Sequence, residues 1–264
     1  SKGNVVVDQI VISETYFSDY LTLDYMRQAN VEFNNMLASN PVLDESKRSE
    51  FVLDTLQRQG ALHQFESERK RIQGYIEMVQ DSNQLDEKVI YNIQDLYSEI
   101  SEQNSYIRGF ELIEDMRVDK TTGKILSLSE IEDMINTRKL DERSERYAEI
   151  SKVLGTPIMQ HNIRMEDIND EISDNLNKAI ESLSKEEFLK YMSLDDASKL
   201  SYLKEKTDFD MTLYQDRIAQ SLISLAGGYA DDEKFHLAND YYAQALTLVA
   251  DEETQKILGD GWGK

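Results

Sequence analysis

Two prolines, Pro41 and Pro157, are all that this chain of 264 residues contains, and glycine adds only 11. Proline inside a helix removes a hydrogen bond and clashes with the preceding turn, so its absence from 42–156 and from 158–264 leaves long helices free to form. The same scarcity of breakers denies a many-turned β fold its turns. With 30% of residues charged, enough polar side chains are present to solvate the outer faces of such helices. The fold class read from this is mainly α. At roughly 150 residues per domain the length allows one large domain or two small ones. A chain of this size buries enough surface to fold without a disulfide or metal staple.

Residues 4–12 carry the β-branched cluster Val5, Val6, Val7, Ile10, Val11 and Ile12, which suits a pleated surface and predicts a short strand. After Ser13, apolar residues from Tyr16 to Leu37 recur at three- and four-residue spacings and predict a helix to about Ala38. Asn40-Pro41 then ends one helix and starts another. Phe65, Ile72, Ile76 and Val79 hold a helical stripe through 46–80, and Asp81-Ser82-Asn83 reads as a turn.

The most regular pattern follows that turn. Val89, Ile93, Leu96, Ile100, Gln103, Ile107 and Phe110 alternate spacings of four and three, the heptad signature of a seam along one side of a helix over about 86–116. The short connection favours an antiparallel hairpin of two long helices within the chain over a coiled coil between chains. Such burial predicts that Ile93, Leu96, Ile100, Ile107 and Phe110 are all core residues. Arg117 to Leu128, turning on Lys120-Thr121-Thr122-Gly123, reads as a small β-hairpin. Ser127 with Glu130 has capping-box spacing and restarts the helix. Shorter helices are expected near 140–154, 166–183, 185–192, 195–205, 210–228 and 234–250. The loop Gly155-Thr156-Pro157 divides an elongated region 1–154, with its strand and hairpin, from a helical-hairpin region 158–258. The glycine-rich residues 259–264 form a flexible tail.

Within 219–252 the order Leu222, Leu225, Ala226, Tyr229, Phe235, Ala238, Tyr242, Ala245, Leu246 and Leu248 resembles one tetratricopeptide repeat. The resemblance implies two antiparallel helices approaching closely at Ala226 and Ala238, with Tyr229 and Tyr242 filling the gaps beside them. It departs from the family at Ala250, where a proline commonly closes the repeat. About 34 residues upstream, Phe188 and Tyr191 fit, but Asp195 stands where an aromatic belongs. A single hairpin of this type is therefore expected, not an array.

No catalytic constellation is assembled by sequence spacing. Cysteine is absent, which removes disulfides, thiolate metal sites and cysteine nucleophiles. Neither a phosphate loop nor a Gly-x-Ser-x-Gly elbow occurs. His63, His161 and His236 are scattered; Glu233-x-x-His236 is unrepeated, whereas carboxylate-bridged metal bundles use two such pairs. Asp119 to Glu130 has the length of a calcium loop, but Gly123 falls one place early and Lys120 and Lys124 replace oxygen ligands. No catalytic residue, cofactor or metal ligand is therefore expected. A net charge of −22 argues against direct nucleic-acid binding, and no apolar run reaches the roughly 18 residues a membrane helix needs. The basic cluster Arg69-Lys70-Arg71 lies among Glu66, Glu68 and Glu77 and reads as intrahelical pairing.

The expectation is a non-enzymatic protein-interaction or scaffold protein of helical-hairpin type, its partner another protein or a copy of itself. Its alternatives are a structural subunit of a large assembly such as a phage or virus particle, an acidic inhibitor imitating nucleic acid, and an enzyme whose site assembles only in three dimensions. Partner contacts are expected at Tyr229, Tyr242 and Trp262, the last an aromatic anchor in the tail. The expected setting is the cytoplasm or a virion; a chain starting at Ser1 reads as trimmed, which leaves a removed leader and a secreted setting open.

Overall fold

The structure is a computed structural model and describes residues 19–39, 43–81, 87–117, 124–137 and 144–248. Ten α-helices occupy them: α1 (Asp19–Ser39), α2 (Arg48–Asp81), α3 (Glu87–Met116), α4 (Leu128–Thr137), α5 (Ser144–Leu154), α6 (Pro157–Glu181), α7 (Lys185–Met192), α8 (Asp196–Lys206), α9 (Met211–Asp231) and α10 (Phe235–Leu248). The protein is mainly α. The expected strand over 4–12 and the tail with Trp262 lie outside the described residues. Of the β-hairpin expected over 117–128, residues 118–123 lie outside the described residues; the described ones form no strand, only a single bridge at Ile125 and a bond from the Leu126 N–H to the Arg117 carbonyl at 2.7 Å. A lone two-stranded hairpin is marginal in water.

Among the described residues the chain divides into two compact units, 23–159 and 160–248 together with 19–22. In the first, α2 and α3 run antiparallel: Thr55 meets Arg117, Arg58 meets Glu114, Phe65 meets Tyr106 and Arg69 meets Asn104, each step forward on α2 answered by a step back on α3. We call the Thr55–Phe65 end of this pair the base and the Ile72–Asp81 end the tip. The base is closed by other helices. Phe33 of α1 packs on Phe51 with ring centres 5.3 Å apart, and Phe110, Ile113, Leu128, Ile131, Ile150 and Val153 are all buried. At Gly109, α3 crosses α5 so closely that a Cβ would lie 2.6 Å from the Glu149 carbonyl oxygen.

In the second unit, α9 and α10 form the most extensively packed helix pair. Helix α9 continues through Gly227-Gly228 to Asp231, so the break falls at Asp232–Lys234, later than the sequence spacing suggests; Glu233 adopts a left-handed φ of 59° there. Helix α6 starts at Pro157, well before the expected 166. Proline is accepted at the first helical position, where its missing N–H would have had no partner, and Thr156 Oγ1 accepts from the Met159 N–H at 3.4 Å. Ser184 and Glu187 close a full capping box on α7.

Candidate functional site

Beyond Phe65 and Tyr106, the paired α2 and α3 present a different surface. The α2 residues Ile72 and Ile76 are buried, but Ile93, Leu96, Ile100 and Ile107 on α3 are only half-buried; of the expected core seam, Phe110 alone is closed, together with the polar Gln103. Apolar groups on the same stretch reach water directly: Tyr75 is 44% exposed, Met78 61%, Ile90 46% and Tyr97 52%. The cause is the width of the apolar stripe on α3. Ile90, Ile93, Tyr97 and Ile100 form a second line at spacings of three and four beside the heptad line, which widens the apolar stripe beyond a coiled-coil seam. Among the described residues, α2 covers one edge of it.

The base carries buried charge instead. Arg58 is fully buried and its Nε donates to Glu114; burial pushes the Glu114 carboxyl upward from the ordinary glutamate range, with Arg58 pulling it back. Arg117, also buried, donates to Thr55 Oγ1 and to the Phe51 carbonyl at 2.9 Å, and its guanidinium lies 4.0 Å from the Phe51 ring centre. These groups bond to one another and to backbone, which makes them clamps between helices.

The second unit holds two polar features. His161 is fully buried, its Nδ1 2.8 Å from the Ser221 hydroxyl, and Arg164 Nε donates to that same oxygen at 2.9 Å. The Ser221 oxygen thus links the arginine to the ring; burial first, and the Arg164 charge second, hold the imidazole down to about 3. A serine bonded to a histidine is the nucleophile and base arrangement. Here the ring has no exposed surface and Ser221 only 4%, so no substrate reaches them, and the group serves as a polar fastening between α6 and α9.

Farther along the same two helices Asn175 donates to the Tyr214 hydroxyl at 2.6 Å, and Tyr214 stacks on Phe209 at 5.8 Å. They line a cleft of about 400 Å³ with Lys178, Ser182, Thr207 and Asp208. Such a volume is near the small end for ligand sites. Its lining contains no histidine and no pair of carboxylates. Among the described residues no three His, Asp or Glu side chains cluster as metal ligands would, and no helix is long and apolar enough to cross a membrane.

Of the residues expected to contact partners, Tyr229 is buried and stacks on Tyr241 at 5.7 Å, Tyr242 is half-buried, and Trp262 lies outside the described residues. Tyr241, not Tyr242, takes the inner position beside Tyr229, because it shares the buried face of Ala238 and Ala245 three and four residues away. Burial, with Tyr229 and Asp240 nearby, pushes the Tyr241 hydroxyl well above its ordinary range. The exposed pair Ile90 and Tyr97 was readable as the second apolar line on α3; the cleft had no sequence signal, since its residues come from distant segments. No family model, curated protein or solved structure matches this chain.

Proposed function

We propose that the chain is a non-enzymatic protein-interaction scaffold of helical-hairpin type, working through the tip of the α2–α3 pair. The half-covered seam with Ile90 and Tyr97 exposed beside it carries this reading. Large exposed apolar groups gathered on one element mark interaction surfaces in soluble proteins. The α9–α10 pair does not add to this reading as a tetratricopeptide repeat, because α9 runs unbroken through Gly227–Asp231 and Tyr241, not Tyr242, takes the inner position.

Capture of partners by the full chain, followed by cross-linking and peptide mapping, tests the reading. Cross-links from a retained protein should fall on residues 70–105, and Tyr97→Glu, at an exposed position, should abolish retention with helical circular dichroism unchanged. Cross-links confined to other segments, or retention unchanged by Tyr97→Glu, would overturn it.

A further inference from the structure

We infer that the cleft in the second unit binds a small zwitterion bearing one aromatic ring, of the size of an aromatic amino acid or a dipeptide. The site goes beyond the scaffold reading and does not depend on it. Two segments frame the cleft. Asn175, Lys178, Ala179 and Ser182 stand three and four residues apart and so share one face of the last turns of α6. Thr207, Asp208 and Phe209, with Tyr214 in the first turn of α9, form the other wall. That wall is braced without a ligand. The Thr207 hydroxyl donates to the Leu203 carbonyl at 2.6 Å and accepts from the Phe209 N–H at 3.2 Å, and Asp210, the N-cap of α9, accepts from the Thr212 N–H at 3.0 Å. The segment carrying Asp208 is thus pinned on both sides, which lowers the ordering cost of binding there.

The charges define the ligand. Lys178 stands on the α6 wall and Asp208 on the other, and neither side chain has an ion-pair or hydrogen-bond partner among the described residues. Elsewhere in the same unit opposite charges have closed on one another, Lys204 with Asp210 at 3.5 Å and Arg217 with Glu171. A molecule with an anionic and a cationic group answers both Lys178 and Asp208, whereas a singly charged one leaves the other side chain unmatched. A lone anion would also enter against the field of a chain with net charge −22, which a zwitterion of no net charge does not. The apolar surface comes from Phe209 and Tyr214, stacked at 5.8 Å, and from Ala179, and it suits a planar ring. Asn175, held by its 2.6 Å bond to Tyr214, keeps its amide oxygen available to accept an N–H of the ligand. The volume of about 400 Å³ sets the size class.

Titration calorimetry of the full chain with the dipeptide glycyl-phenylalanine should give saturable binding at one site per chain. Acetylating its amine, or amidating its carboxylate, should each weaken binding about tenfold or more, the scale of one lost hydrogen bond to a charged group. Lys178→Met should bind the parent and amidated dipeptides alike, and Asp208→Asn the parent and acetylated ones alike, each substitution erasing one preference and keeping the other. Both positions are exposed, so helical circular dichroism should be unchanged. No saturable heat at millimolar dipeptide would overturn the inference. So would equal affinity for the parent and blocked forms, or a preference that survives loss of the side chain assigned to it. Retention of a partner through residues 70–105 should be unaffected by Lys178→Met, so this site and the scaffold reading stand or fall separately.

Discussion

The base and the tip of the α2–α3 pair are built from the same heptad logic and end up in opposite environments. At the base, α1, α4 and α5 close over the pair, and the interior is tight enough to hold two buried arginines, each bonded within it. At the tip, among the described residues, the same two helices pack chiefly on each other, and the isoleucines that the spacing marks as core stay half in water. Periodicity thus fixes which face of a helix is apolar; the number of neighbours decides whether that face becomes core. The sealed regions carry stability, and the open region is the surface proposed above for association.

The contrast is sharpest where charge is sealed. Glu114→Ala leaves the Arg58 guanidinium buried without the carboxylate that bonds its Nε, and breaking one side of a buried pair typically costs about 3–5 kcal/mol. Urea denaturation should show a loss of that order. A loss under about 1 kcal/mol, the scale of exposed pairs, would mean that the base is not sealed. Next in size is a matched pair of truncations. Ile113→Ala, at a position with no exposure, should cost about 2–5 kcal/mol, and Ile100→Ala, half-buried on the same helix, about 1 kcal/mol. Equal losses from the two would erase the distinction between base and tip in the monomer.

Much of this was legible in the sequence, and the failures have physical causes. The limits of α2 and α3 follow from missing breakers and a steady period. The turn at Gly155-Thr156-Pro157 was visible too, but the proline that signalled a loop stands inside the first turn of α6, because the first helical position tolerates it. Arg58 and Arg117 gave no sign of burial, since a charged residue in a helix reads as surface unless its distant partner is known. The half-covering of Ile93, Leu96, Ile100 and Ile107 was missed for the opposite reason: an apolar seam predicts a neighbour and says nothing of how far the neighbour reaches. The Ser221 bond to His161 joins residues on separate helices, and neither stands in a motif.

That fastening between α6 and α9 extends the contrast to pH. The His161 ring, held down to about 3 in the folded chain, has an ordinary value near 6.5 when exposed in the unfolded one. Between those values the unfolded chain binds a proton that the folded chain refuses. Stability should therefore fall as pH drops from 6.5 toward 3, with a slope from this group of up to about 1.4 kcal/mol per pH unit, and should not depend on it above pH 7. Comparing the pH dependence of the unfolding midpoint in the unaltered protein and in His161→Gln isolates the contribution. An identical slope between pH 6 and 4 in both would show that the ring protonates freely and that this seam is not sealed.

The smallest effect is the most direct comparison of base with tip, because one substitution should act with opposite sign at the two places. Alanine is favoured over glycine in a helix interior by about 1 kcal/mol, through the backbone entropy that glycine loses on folding. At Gly74, on the tip half of α2, nothing lies within 4 Å of an added Cβ, so Gly74→Ala should keep that gain and raise stability by up to about 1 kcal/mol. At Gly109 the same atom would stand 2.6 Å from the Glu149 carbonyl oxygen and 3.1 Å from a Val153 methyl. A backbone carbonyl cannot swing aside as a flexible side chain can, so α3 and α5 must separate, and overpacking of this kind costs about 1–3 kcal/mol. Set against the same helical gain, Gly109→Ala should come out destabilising by about 1 kcal/mol. Midpoints that move in the same direction for both variants would mean that α3 and α5 do not cross as closely as the glycine requires.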